Sequence, residues 1–120
     1  MMRFTESHEW ILIKDNVGTV GITDYAQREL GGIVYIELPK VGQKVKAGQE
    51  TCVLESTKAA ADVYAPVSGK IVAVNDHLVK GPSSINSDAE TMGWLFKIEL
   101  SNPKEIDHLL TRAQYTALIS

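Results

Sequence analysis

Glycines fall at short intervals through the middle of this chain, and they forbid long regular elements there. Gly42, Gly48, Gly69 and Gly81 divide apolar runs of only a few residues: Val45, Val53-Leu54, Val63-Tyr64 and Ile71-Val72-Ala73-Val74. Glycine punctuates turns, and β-branched or aromatic runs between turns predict short strands. The upstream segment has the same character. Trp10-Ile11-Leu12-Ile13 is a short apolar run, Asp15-Asn16-Val17-Gly18 follows as a turn, and Thr19-Val20-Gly21-Ile22 resumes strand character. Ile33 to Leu38 is strongly β-branched and stops at Pro39, and Gly93 to Leu100 alternates as a further strand.

Two segments have helical signals. Thr23 or Asp24 can cap a short helix running to about Leu30, which Gly31-Gly32 would end. Asn102 can cap a helical tail with Pro103 at its first position. Ile106, Leu109, Leu110 and Ala113 continue that tail at helical spacing, and Tyr115 to Ile119 extend it. The expected class is therefore mainly β, a compact sandwich or barrel with a short internal helix and a C-terminal helix. No linker rich in Pro, Gly or Ser splits the 120 residues, so 1–120 is expected to be one domain.

Composition narrows the function. The formal net charge is −3 with no block of like charge, which argues against nucleic acid as a partner. Cys52 is the only cysteine, so an internal disulfide and a cysteine-based zinc site are both excluded. The first residues lack a signal-peptide pattern, and no apolar run approaches a membrane span. The cytoplasm is the expected location, with no membrane partner. His8, His77 and His108 have no metal-ligand spacing and are expected in surface or structural roles. Trp10 and Trp94 are expected in the core. Neither a phosphate-cradling glycine loop nor a nucleophile elbow is present, and no nucleophile–base pair stands out. A catalytic role is not expected.

The chemistry concentrates in Cys52 to Pro66. Glu55, Lys58 and Ala59 to Ala61 are good helix formers, so Glu55 to Ala61 could be a short helix. The flanking strand pairs, and Pro66 with Gly69, favour a hairpin instead, with Ser56 opening the turn and Thr57-Lys58 at its tip. A hairpin tip holds a lysine in a fixed place within reach of a modifying enzyme. On local rules alone, Lys58 is an ordinary solvated turn lysine.

Glu55-Ser56-Thr57-Lys58-Ala59-Ala60-Ala61-Asp62-Val63-Tyr64-Ala65-Pro66-Val67-Ser68-Gly69 closely resembles the lipoylation segment of the glycine cleavage system H proteins. Ser7-His8-Glu9-Trp10 resembles the N-terminal signature of that family, and Val20 to Gln27 its first strand-to-helix passage. Leu30-Gly31, Leu38-Pro39, Val41-Gly42, Val72 to Asp76, Ile85-Asn86-Ser87 and Gly93-Trp94 follow in matching order. Thr57 stands where the family commonly has valine, Ala61 where serine is frequent, and Ala89 where proline is common.

The resemblance implies a lipoyl-domain-like barrel-sandwich hybrid with lipoate in amide linkage on Lys58. It implies a carrier that takes an aminomethyl group from a glycine decarboxylase dependent on pyridoxal phosphate (the P protein). The carrier would hand that group to a tetrahydrofolate-dependent aminomethyltransferase (the T protein) and be reoxidised by dihydrolipoyl dehydrogenase (the L protein). A lipoate ligase or octanoyltransferase would attach the arm. The loaded arm ends in an ammonium prone to hydrolysis, and the resemblance assigns Ser7, Glu9 and Asp62 to its protection. The alternatives are a lipoate donor to other lipoyl proteins, a lipoyl domain of a 2-oxoacid dehydrogenase, and an interaction module with Lys58 unmodified. Biotin carriers usually flank the lysine with methionines, whereas Thr57 and Ala59 flank this one.

Overall fold

The computed structural model describes residues 1–120. Nine strands form two antiparallel sheets. The larger has the order β1 (Met2–Phe4), β2 (Glu9–Lys14), β3 (Val17–Ile22), β9 (Phe96–Leu100), β8 (Gly69–Val74), β5 (Lys44–Val45). The smaller has β4 (Ile33–Glu37), β6 (Glu50–Ser56) and β7 (Ala60–Tyr64), in that order. The inner faces meet over an apolar core that includes Ile11, Val20, Leu54, Val63, Ile71 and Phe96. The mainly β, barrel-sandwich expectation holds.

The β2–β3 hairpin is tighter than expected. Lys14 pairs with Val17, so only Asp15 and Asn16 turn, with φ of 52° and 65°. Paired left-handed residues suit the right-handed twist of a hairpin, and Asp and Asn tolerate that backbone. Val17 and Gly18, expected in the turn, belong to β3. Gly18 lacks a side chain because that of Ile11 occupies the position its Cβ would need.

Helix α1 (Asp24–Leu30) lies where the sequence places it. Oγ1 of Thr23 accepts the Ala26 N–H at 3.2 Å, and Gly31, at φ 85°, donates to the Gln27 carbonyl at 3.0 Å. Two four-residue helices, α2 (His77–Lys80) and α3 (Ser84–Ser87), have too few residues for a periodic signal and escape the sequence. Strand β1 escapes for the same reason.

The C-terminal tail is not one helix. Oδ1 of Asn102 caps a 3₁₀ helix, Pro103–His108, by accepting from Lys104 N–H at 3.2 Å. The chain then straightens, and Leu110 exchanges two backbone hydrogen bonds with Phe4 at 2.9 and 2.8 Å. A second start follows at Thr111, whose capping box with Gln114 opens α4 (Arg112–Ile119). Ala113 is exposed rather than continuing an apolar face, and Tyr115 is the buried residue of α4. Pairing with β1 outweighs the local helical spacing at Leu109-Leu110.

Strand β9 starts at Phe96 rather than Gly93. Nδ2 of buried Asn75 instead satisfies the Met92 and Trp94 carbonyls, at 3.1 and 2.9 Å. Trp10 is core as expected and packs with Phe4 and Tyr115, whereas Trp94 is only partly buried. No helix is long and apolar enough to cross a membrane.

Candidate functional site

Strands β6 and β7 pair down to Glu55 and Ala60 and present a tight turn at Thr57-Lys58. The Ser56 N–H donates to the Ala59 carbonyl at 2.8 Å, and Oγ of Ser56 accepts from the N–H groups of Lys58 and Ala59 at 3.1 and 2.9 Å. Ser56 therefore closes the turn by its own side chain, a serine device that competes with helix. The hairpin prevails over the helical propensity of Glu55 to Ala61, and Lys58 is exposed at its tip.

The tip is fastened to the rest of the molecule. Thr57 N–H donates to the Gly32 carbonyl at 3.1 Å. Asn86 holds the underlying passage: its Oδ1 accepts from Ile33 N–H at 2.8 Å, and its Nδ2 donates to the Gly31 carbonyl at 2.9 Å and to Oε1 of Gln27 at 3.0 Å. Sequence reasoning gave Asn86 no role. Its three partners lie 53 to 59 positions away, so no local signal marks it. The stem of Lys58 crosses Gly31, where a Cβ would stand 2.8 Å from Cε of the lysine.

Beside this passage runs a cleft of about 320 Å³ between α1, the β6–β7 hairpin and the Ser7 to Glu9 segment. Ile22, Leu30, Leu54 and Val63 supply apolar wall, and Ser7, Glu9 and Asp62 line the same cleft. Lys58 is not part of the lining, but Gly31 under its stem directly follows Leu30, which is.

Glu9 is the buried acid of the site, 2% exposed. Its Oε1 accepts from the hydroxyls of Thr5 and Ser7, each at 2.5 Å, and its Oε2 accepts from Tyr64 N–H at 3.2 Å. Burial pushes the carboxyl above its usual range, and the hydrogen bonds from Ser7, Thr5 and Tyr64 oppose that rise. A buried carboxylate facing a cleft gains from a cation placed beside it. Asp62 is exposed at the rim and makes no hydrogen bond to Ser7 or Glu9. The fold thus brings all three predicted polar residues to one cleft but joins only two of them.

His8 lines the cleft as well, a position not foreseen for it, while its ring nitrogen 2.8 Å from the Tyr115 hydroxyl agrees with the structural role expected. Its position between Ser7 and Glu9 is the one signal that could have flagged it. Cys52 is buried, and desolvation pushes its thiol up to about 12, which disfavours the reactive thiolate.

Comparison with known proteins accords with this geometry. The family model described as "Glycine cleavage H-protein" matches residues 2–120. The glycine cleavage system H protein of Thermotoga maritima is 53% identical over 115 residues, covering 96% of this chain and 93% of its own. That of Rhodospirillum rubrum is 48% identical over 117 residues, covering 97% and 93%. The crystal structure of a glycine cleavage system H protein from Mycobacterium marinum superimposes with a TM-score of 0.89 at 38% identity, covering 97% of this chain and 94% of that one. An exposed hairpin lysine, a glycine passage under its stem and a half-apolar cleft beside it, on a fold matched from end to end, lead to one conclusion: the chain belongs to the glycine cleavage H-protein family.

Proposed function

We propose that Lys58 is the lysine that bears lipoate, and that the adjoining cleft is the resting place of the loaded arm, with Ser7, Glu9 and Asp62 protecting its ammonium. The family carries lipoate covalently on a lysine and works as a non-catalytic component of the glycine cleavage system, with the P, T and L proteins as partners. When bound, the group would supply a disulfide that is reduced as it accepts an aminomethyl unit at the decarboxylase, leaving a dithiol once that unit departs at the aminomethyltransferase.

The residues present fit that group. Amide formation removes the charge of Lys58 and leaves a largely apolar arm. Gly31 leaves the stem a channel that a Cβ would fill. Apolar side chains from α1 and β6–β7 offer a dry wall, and the polar end of the cleft carries Glu9. The observation that carries the proposal is this continuity from the Lys58 stem over Gly31 to the cleft edge at Leu30.

The chain's own residues have separable tasks. Ser56 and Asn86 fix the platform under Lys58. The apolar wall excludes water. The buried carboxylate of Glu9, oriented by Ser7 and Thr5, accepts from an ammonium and keeps it protonated, with Asp62 as a second anion at the rim. An amine kept protonated has no lone pair with which to expel its sulfur, and this is how the cleft would slow hydrolysis.

Residues 1–120 act in this proposal as one carrier domain in the cytoplasm. A lipoate ligase or octanoyltransferase attaches the arm. Intact mass after incubation with lipoate, ATP and a competent ligase provides the test: one lipoyl increment is expected, and none for Lys58→Arg. No increment in the parent chain sinks the assignment. Reconstitution with the P protein then separates glycine cleavage from a role as lipoate donor, since only the former supports exchange of carbon dioxide with the glycine carboxyl.

A further inference from the structure

His8 has no part in the proposal above, yet the fold holds it with unusual care. Its backbone is left-handed, at φ 74°. That conformation is costly for a residue with a Cβ and persists where its surroundings enforce it. The His8 N–H donates to the Thr5 carbonyl at 3.1 Å, and its carbonyl accepts from Thr23 N–H at 3.0 Å. The ring lies between Tyr25 and Tyr115, with centroids at 4.9 and 5.7 Å. Nδ1 of His8 is 2.8 Å from the Tyr115 hydroxyl, which is 2.6 Å from Oγ1 of Thr23.

Each hydrogen along this path has one place to go. Thr23 is fully buried, and its Oγ1 already accepts from Ala26 N–H at 3.2 Å. Its hydroxyl hydrogen therefore points to the oxygen of Tyr115. Burial raises the Tyr115 phenol above its ordinary range, so it keeps its hydrogen, and Nδ1 of His8 is the acceptor left for it. Any other arrangement strands a buried O–H without a partner. A neutral imidazole that accepts at Nδ1 carries its proton at Nε2. Nε2 has no hydrogen-bond partner in the chain and is open to solvent, and His8 is one of the residues that line the cleft.

We propose that Thr23 and Tyr115 are positioning residues that hold His8 as a neutral Nε2–H imidazole, and that this N–H is a hydrogen-bond donor to the sulfur of the arm on Lys58, above all to its thiolate. The proposal rests on the lipoyl assignment of Lys58. The other polar groups of the cleft are in no position to do this. Glu9, Glu29 and Asp62 line the cleft as acids, and the hydroxyls of Ser7 and Tyr25 are spent on Glu9 and Glu29, at 2.5 and 3.2 Å. Sulfur entering a cleft of acids meets repulsion as a thiolate, and one fixed N–H offsets it. Such a bond favours thiolate over thiol.

Two measurements test this. The first uses the protein without lipoate: nitrogen NMR of the uncharged His8 ring. Protonated Nε2 and bare Nδ1 are expected. Tyr115→Phe, which retains the ring stacked 4.8 Å from Phe4, is expected to mix the tautomers, and Thr23→Ser to preserve the single one. A protonated Nδ1 in the parent chain, or no change in Tyr115→Phe, overturns the relay. The second follows ultraviolet thiolate absorbance against pH in the lipoylated, reduced protein. His8→Phe is expected to lower the thiolate fraction about three- to ten-fold at mildly alkaline pH, the worth of one hydrogen bond. An unchanged titration overturns the sulfur assignment. Absence of the lipoyl mass increment sinks the Lys58 assignment and the sulfur assignment with it, while the tautomer measurement is decided independently.

Discussion

The stem of Lys58 lies across Gly31, with room for no Cβ between them: one built at Gly31 would stand 2.8 Å from Cε of the lysine. Gly31 also has φ 85° and ψ −165°, a region open essentially to glycine alone. One residue thus ends α1 and leaves a path for the side chain of Lys58. Gly31→Ala is expected to destabilise the fold by about 1–3 kcal/mol and to slow lipoylation, because both the backbone and the lysine must shift. Urea unfolding and a mass time course with ligase read the two effects. Parent-like values in both would show that the close approach has no consequence.

Asn86 is expected to matter as much, from farther away. Asn86→Ala removes three hydrogen bonds, two of them to the backbone of the Gly31–Ile33 passage. A loss of about 1–3 kcal/mol is expected, with faster amide exchange at Ile33 and Thr57. Protection unchanged at those amides would mean that Thr57 and Gly32 hold the tip unaided.

Glu9 makes stability depend on pH in a definite direction. Its folded pKa is raised above 4.5 by burial, so the folded state favours the neutral carboxyl more than the unfolded chain does. Its stabilising contribution is full below the ordinary carboxylate range and is lost as pH rises through the raised value. The stability of the parent relative to Glu9→Gln is therefore expected to fall as pH climbs from acid toward neutral. Denaturant midpoints of both proteins across that range check it, and a gap that widens in favour of the parent would contradict it. The same carboxylate is expected to regain stability when a cation enters the cleft.

Cys52 is expected to resist alkylation at mildly alkaline pH until the protein unfolds, since its thiol sits at about 12 against an ordinary 9.0. The sign is that of a raised acid: its contribution is full below pH 9.0 and is lost as pH approaches 12. Iodoacetamide labelling followed by mass, in the presence and absence of denaturant, gives the readout. Rapid labelling of the folded chain would disprove it.

Ser56→Ala is expected to cost about 1 kcal/mol, since Ser56 Oγ accepts from two turn N–H groups. Lipoylation should still reach completion at Lys58, because the β6–β7 pairing that builds the hairpin is untouched. A chain that folds normally yet no longer takes up lipoate would show that the turn's shape, not only its place, is recognised.

The features legible along the chain lie within a few residues of their cause. Thr23 caps α1 through Ala26, Gly31 ends it, and Ser56 closes the Lys58 turn through Ala59, so hydroxyl, glycine and β-branching preferences sufficed. The same local rules failed at Leu109-Leu110, where helical spacing yielded to pairing with Phe4 more than a hundred positions away. They also could not show that Glu9 is buried against Tyr64, that Asn86 underlies Gly31, or that Tyr115 reaches His8. Family resemblance named Ser7, Glu9 and Asp62 without giving a reason for their meeting. Only the tertiary structure supplies that reason: the sheets bury their apolar faces against each other, and this packing brings β2, α1 and the β6–β7 hairpin around one cleft. Within it, the desolvation of Glu9 and the hydrogen-bond direction at His8 depend on neighbours that no local stretch of sequence contains.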